Sequence, residues 1–432
     1  MSKAKVYGKR ILAQGVEMST NTRETQLNNN VVVIGGSGSG KTGGYVVPNI
    51  QNITGSLIVA DTKRQLERKY GKMLEKKGYS VYSLDFVNPS QSCGYNPLSY
   101  IRRYPDGTVR EQDILTISRV LCPVLDQNEP IWDMSAQSYC SFLISYCLET
   151  EPPERQNLIT VGDLHRAFCK PNGKFEFLPW IENHLDSFAA KKYYEIEANA
   201  IANKMFSSIV GFVNVALEPF SYHEAECIFG NADNMFDIHK LGREKTVLFL
   251  NVSDTDRVFD KMLDIFYTQA MQVLCSDADK NPDGRLTVPV HMILDDFACS
   301  GTIPDFDKLI SVIRSRDISV SIILQSLTQL DTLYSHATAM TILNNCDNWL
   351  YFGSQDMDTV NYVASRCYKT PESVMCMPRN KAYLITNGRK ACYVDKITPY
   401  STVGKKDLFD SIHAEIEVED DAEISADALI HE

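Results

Sequence analysis

Short apolar runs alternating with helical periods mark both ends of the chain, while the middle is periodic in the helical sense alone. Val31–Ile34 is apolar without a break, and Ser56–Ala60 is a second such run, closed by Asp61. Continuous rather than alternating apolarity predicts strands buried on both faces, as in a parallel sheet. Residues 63–77 set Leu66, Tyr70, Met73 and Leu74 on one side of a helix, and 80–84 predict the next strand. From 105 to 230 the spacing is helical, for example over 132–147 and 198–217, punctuated by Pro152-Pro153 and Pro171-Asn172-Gly173. Alternation then resumes, with strands over 246–252, Val290–Leu294, 319–324 and 348–352 and helices over 259–275 and 304–314. The pattern predicts an α/β core with a mainly parallel sheet, interrupted by an all-helical inserted domain. The expected boundaries are 1–104 and 231–404 for the two parts of the core, 105–230 for the insertion and 405–432 for a tail.

The first apolar run leads directly into Gly35-Gly36-Ser37-Gly38-Ser39-Gly40-Lys41-Thr42, which matches G-x-x-x-x-G-K-[ST] in the context that motif requires. Repeated glycines let backbone N–H groups curl around a β-phosphate. Lys41 supplies a point charge to the β- and γ-phosphates, and the Thr42 hydroxyl can ligate Mg²⁺. The eight residues are therefore the expected nucleotide-binding set, with a nucleoside triphosphate and Mg²⁺ as the bound species. The alternative reading, a flexible Gly/Ser linker, needs neither the Val/Ile strand before it nor the Lys-Thr after it. Pro48, seven residues beyond Lys41, should end or kink the following helix early.

At 432 residues and 44% hydrophobic content the chain can bury more than one core. No apolar run approaches the roughly 18 to 20 residues of a membrane span, and Lys3, Lys5, Lys9 and Arg10 are not followed by the apolar stretch of a signal peptide. Twelve cysteines without a C-x-x-C pair indicate neither a zinc site nor a disulfide framework, and fit a reducing cytosol. A net charge of −12 argues at first against nucleic acid, but residues 1–104 carry +9, 105–230 carry −9, and 413–432 carry −8 with no basic group. The acidic tail is expected to be solvated and disordered. In the 63–77 helix, Arg64, Arg68, Lys72 and Lys76 form an i,i+4 stripe, either the wet face of an amphipathic helix or a phosphate contact.

A second apolar strand, Val290–Leu294, ends in Asp295-Asp296, the pattern expected opposite a phosphate loop. Asp295 would hold the Mg²⁺ hydration shell, and Asp296 is placed to be the general base that orients water. Gln325 ends the next strand, where a γ-phosphate sensor would sit. Arg314 and Arg316 fit a finger that reaches a neighbouring subunit's γ-phosphate, or equally surface arginines favoured by a helix C-terminus. His291 is expected to be a satisfied core histidine.

Together these stretches carry a resemblance. Asn28 to Thr42 with Gly44-Tyr45-Val46-Val47-Pro48-Asn49, then Asn96-Pro97-Leu98, Ile293 to Ala298, Ile303-Pro304-Asp305-Phe306, Ile313-Arg314-Ser315-Arg316, Ile323 to Leu330 and Asn345-Cys346-Asp347 occur in order. The chain resembles the type IV coupling proteins of the TraG/TraD class, the DNA-pumping ATPases of conjugation, from about Asn28 to about Tyr400. The resemblance implies a RecA-like P-loop NTPase core with an all-helical insertion, working as a hexamer. It implies passage of relaxase-bound single-stranded DNA to a type IV secretion channel at the expense of ATP, with non-specific DNA contact. Lys41, Thr42, Asp295 and Asp296 would be the ATPase residues, Gln325 the sensor and Arg314 or Arg316 the finger. Asp296 stands where the family has glutamate, one methylene longer, which predicts slow hydrolysis. Cys299 stands where asparagine is common, Asp317 replaces a common glycine, and Asp61-Thr62-Lys63 lacks the usual proline. The family's N-terminal transmembrane helices are not expected, because the phosphate loop begins 34 residues in. A cytoplasmic chain acting at the cytoplasmic face of the membrane is the expectation. The alternatives are a weakly hydrolysing docking platform of the same fold, and an FtsK- or HerA-like translocase outside conjugation.

Overall fold

The computed structural model describes residues 5–397 except 6, 63, 126–127, 200–202, 231–233, 254, 256 and 298–301; the acidic tail and Cys299 lie outside the described residues. The strands are β1 (Lys9–Ala13), β2 (Val16–Ser19), β3 (Val31–Ile34), β4 (Ser56–Ala60), β5 (Ser80–Asp85), β6 (Thr246–Asn251), β7 (Val290–Leu294), β8 (Ile318–Leu324), β9 (Asn348–Tyr351), β10 (Lys381–Thr386) and β11 (Cys392–Asp395). Nine of them form one sheet in the order β11-β10-β9-β3-β8-β7-β4-β6-β5, and β1 pairs with β2 in a separate hairpin. From β9 across to β5 every neighbour is parallel. β10 and β11 close one edge as an antiparallel hairpin.

Burial on both faces explains the unbroken apolar runs. Every residue of β3, β4, β6, β7, β8 and β9 is buried, and successive side chains point to opposite faces. Val31 and Val33 pack with Tyr45, Ile50, Leu66 and Tyr70 on one face. Val32 and Ile34 face the other, whose core continues into the helices between β5 and β6. Between those two strands the described residues carry helices and no strand of either sheet, from Glu111–Leu121 to His223–Phe229. An aromatic cluster centres that helical part: Phe168 lies 5.3 Å from Tyr139, 5.6 Å from Phe142 and 5.2 Å from Phe177 between ring centroids.

Several expected elements shift. The described part of the expected 198–217 helix is Asn203–Leu217, and another helix, Phe188–Asn199, precedes it. The 304–314 helix runs Phe306–Val312 and tightens into a 3₁₀ turn over Ile313–Arg316 before Asp317 turns the chain into β8 at φ 62°. Arg64 leaves the basic stripe: it precedes the helix Gln65–Lys76 in the left-handed region and its Nε sits 2.8 Å from the buried Asp85 carboxylate. Arg68, Lys72 and Lys76 stay exposed. Both hairpins, β1–β2 and β10–β11, were not anticipated from the apolar pattern.

Candidate nucleotide site

The site forms where β3, β8 and β7 end side by side, with β8 between the other two. Two backbone bonds anchor the loop that leaves β3: Gly35 N–H donates to the Leu324 carbonyl at 3.0 Å, and Gly36 N–H to the Gly353 carbonyl at 2.8 Å. Gly38 and Gly40 take φ of 73° and 90°, which a side chain would strain. A Cβ on Gly35 would lie 2.4 Å from Ser39 Oγ. Ser39 Oγ is buried inside the loop without a hydrogen-bond partner. The loop is thus a cradle stripped of side chains, with one hydroxyl left to be satisfied, and both features fit a bound phosphate.

The helix that follows opens with a π turn over Thr42–Val46 and continues as an α-helix over Val47–Gln51. Pro48 explains the change. Its ring would press on a carbonyl four residues back in a regular helix, and widening the turn relieves that contact. The helix ends three residues later.

Lys41 is 8% exposed, and its ammonium donates to the Gly35 and Gly36 carbonyls at 2.6 and 3.2 Å. Burial pulls its pKa down against the opposing pull of Asp296 and Asp295. Thr42 Oγ1 donates to Asp295 Oδ2 at 2.9 Å, joining two motifs 253 residues apart. Asp295 Oδ1 accepts from the Asp296 N–H at 3.1 Å. Burial, reinforced by the neighbouring Asp296 carboxylate, pushes the Asp295 carboxyl up to about 6. A hydroxyl and a buried carboxylate already facing one another make a donor set that suits a hard divalent cation, so Thr42 and Asp295 would hold Mg²⁺. Asp296 sits at φ 46°. Aspartate and asparagine tolerate that left-handed conformation better than longer side chains do, which is a local reason for the shorter acid.

Gln325 follows directly on β8, half-buried beside the loop, and its N–H donates to Gln329 Oε1 at 2.9 Å. Arg314 and Arg316 do not join this group. They precede β8, at the opposite end of a strand of seven residues, roughly 20 Å away at ~3.3 Å per residue. Arg316 is engaged by Asp279 in two parallel bonds of 2.9 and 3.1 Å. Arg314 is exposed and donates to the Gln26 carbonyl at 2.7 Å. His291 is buried between the Ser319 and Ser321 hydroxyls at 2.7 and 2.8 Å, as a satisfied core histidine should be.

Lys396, just after β11, belongs to the site and carries no motif that would have announced it. Its buried ammonium donates to the Phe352 carbonyl at 2.8 Å and to the Ser39 carbonyl at 3.3 Å. It also lies 4.8 Å from the centroid of the Phe352 ring. Burial, with Arg379 adding repulsion, lowers its pKa to about 8.

The chain is similar to known proteins. The family model for type IV secretory system conjugative DNA transfer matches residues 1–370. Protein VirD4 of Agrobacterium fabrum (strain C58 / ATCC 33970) is 20% identical over 343 residues, 77% of this chain and 48% of the relative. The conjugal transfer protein TraG of Rhizobium radiobacter is 23% identical over 367 residues, 79% of this chain and 53% of that protein. The chain thus spans about half the length of the curated relatives it matches. Among solved structures, the plasmid coupling protein TrwB in complex with ADP and Mg²⁺ superposes with a TM-score of 0.65 at 14% identity, covering 92% of this chain and 91% of that one. The likeness extends to the α/β core and the helices that interrupt it, so the expected RecA-like fold stands. No helix among the described residues is long and apolar enough to cross a membrane. With the family model matched over most of its length, the chain belongs to the type IV secretory system conjugative DNA transfer family.

Proposed function

We propose that this chain is an ATP-fuelled DNA translocase that couples relaxase-bound single-stranded DNA to a type IV secretion channel. The observation that carries the reading is the Thr42–Asp295 contact, which closes a phosphate loop onto its acidic strand end at 2.9 Å. Family membership supplies the process in which it acts. Bound Mg²⁺ would neutralise charge on the β- and γ-phosphates. Lys41 exchanges its two loop carbonyls for phosphate oxygens. Asp296 holds the proton acceptor toward the attacking water, and Gln325, at the end of β8, reads the γ-phosphate. Arg314 is the better finger, because Arg316 is already held by Asp279. Its distance from its own loop requires a neighbouring copy as the recipient, as in a homohexamer. Residues 1–104 with 231–404 form the motor, and the acidic 105–230 segment is the surface for relaxase.

The test is ATP turnover with and without single-stranded DNA. Lys41→Ala should lower kcat by at least ~10²-fold, the scale of losing one charge-stabilising group at a reacting centre. DNA binding should weaken steeply with salt and show little sequence preference. Equal turnover by the wild type and Lys41→Ala in the presence of DNA would sink the reading.

A further inference from the structure

Away from the phosphate loop, between the β1–β2 hairpin and the starts of β4, β7 and β8, lies a cavity of about 50 Å³ whose lining includes Arg10, Asn29, Thr54, His291 and Ser319. That is room for an ion of a few heavy atoms. Arg10 is only 7% exposed, and its Nε has no hydrogen-bond partner. Neighbouring cations are matched: Lys9 pairs with Glu17, and Lys5 and Arg285 both pair with Asp317. Among the described residues no carboxylate pairs with Arg10. Asp317 also lines the cavity, but its oxygens are spent on Lys5, Arg285 and the Tyr7 hydroxyl.

A second orphan belongs to another residue of the same lining. Asn29 Oδ1 is buried without a partner while its amide nitrogen donates to the Thr20 carbonyl at 2.6 Å. The ligand must therefore bring negative charge for a guanidinium and a donor for an amide oxygen. His291 adds no charge: burial and Arg10 hold it neutral, and both ring nitrogens are engaged by serine hydroxyls. A buried guanidinium without a counter-charge is a standing cost to the fold, and an amide oxygen left bare adds to it.

We propose that this cavity binds a phosphate-class monoanion, free or esterified, whose oxygens accept from Arg10 and whose protonated oxygen donates to Asn29 Oδ1. A carboxylate could satisfy the first group and not the second. The site is separate from the nucleotide loop and stands independently of the motor function.

Phosphate also suits the nucleotide loop, so the experiment uses the full chain carrying Lys41→Ala. Inorganic phosphate, glycerol phosphate and acetate are each titrated at constant ionic strength while Tm is followed. Phosphate should raise Tm saturably by about 2–4 °C, and acetate should not. Glycerol phosphate matching inorganic phosphate supports an esterified ligand, and its failure beside a phosphate response supports the free ion. Adding Arg10→Met should cancel the response and leave the ligand-free Tm equal or higher, since an unpaired buried charge is removed. If that variant does not fold, Arg10→Gln, which removes the charge and keeps a polar side chain, should cancel the response. No response to phosphate, an equal response to acetate, or a response that survives either substitution overturns the proposal.

Discussion

The two ends of the parallel sheet treat charge in opposite ways. Where β3 and β7 end, Lys41 spends its donors on loop carbonyls and Asp295 accepts only a hydroxyl and an amide. Lys41 and Asp295 lie close enough to perturb one another while each bonds to neutral groups. Where β8 begins, Asp317 gathers Lys5, Arg285 and Tyr7, and Arg316 locks onto Asp279. One end keeps its charges available for a ligand, and the other, Arg10 apart, pairs them to hold the chain together. Removing a charge should therefore cost activity at the first end, and removing one of the paired charges should cost stability at the second.

The largest effect separates the two consequences within one residue. Asp295→Asn should reduce ATP turnover by ~10²-fold yet stabilise the folded chain at neutral pH. The Asp295 carboxyl is raised to about 6 in the fold against an ordinary 3.8. The native state therefore keeps a proton that the unfolded chain releases, and wild-type stability falls as pH rises between about 4 and about 6. The Asn variant lacks that loss. Its Tm should match the wild type near pH 4, exceed it increasingly up to pH 6 and keep a constant lead above. A lead that fails to grow across that window would mean the carboxyl is not strained.

At the other end, Asp317→Asn strands two cations and should cost about 3 kcal/mol in denaturant unfolding, with turnover per folded chain unchanged. The arginines sharpen the contrast. Arg316→Ala should lower stability by about 1 kcal/mol, the scale of a partly exposed pair. Arg314→Ala should leave stability alone and lower turnover several-fold, only at protein concentrations where copies assemble. A turnover loss that is independent of concentration would rule out action between subunits. The smallest effect belongs to Asp296→Glu. Extending the acid should raise kcat a few-fold while the left-handed backbone at φ 46° costs about 1 kcal/mol. Unchanged kcat would show that the reach of this acid does not limit hydrolysis.

Much of the site was legible because its residues are bound to local rules. A phosphate loop needs glycines in series after a strand, and an acid after a doubly buried strand needs a ligand, so 35–42 and Asp295-Asp296 stand out. Other features depend on distance that sequence does not display. Arg314 is eleven residues from Gln325, yet the intervening strand carries the two to opposite ends of the sheet. Lys396 reaches the loop only because the β10–β11 hairpin delivers it there. That hairpin did leave a readable sign, Asn387-Gly388, with Gly388 at φ 72°. β1 and β2 offered little beyond Gly15, since five- and four-residue strands with polar neighbours look like loop. Arg10 shows no more in sequence than any other cation near an N-terminus, because its meaning lies in having no acid paired with it among the described residues.

The β1–β2 hairpin has a mechanical consequence. Asn49, in the helix that follows the phosphate loop, clasps the Ile11 backbone at both its N–H (2.9 Å) and its carbonyl (2.8 Å). On the hairpin's other side, Gln14 N–H bonds the Asp395 carbonyl at 3.0 Å, one residue before the lysine that grips Ser39. These two links from the small ribbon converge on the same eight residues. A tug on the ribbon is thus delivered to the phosphate loop from two directions.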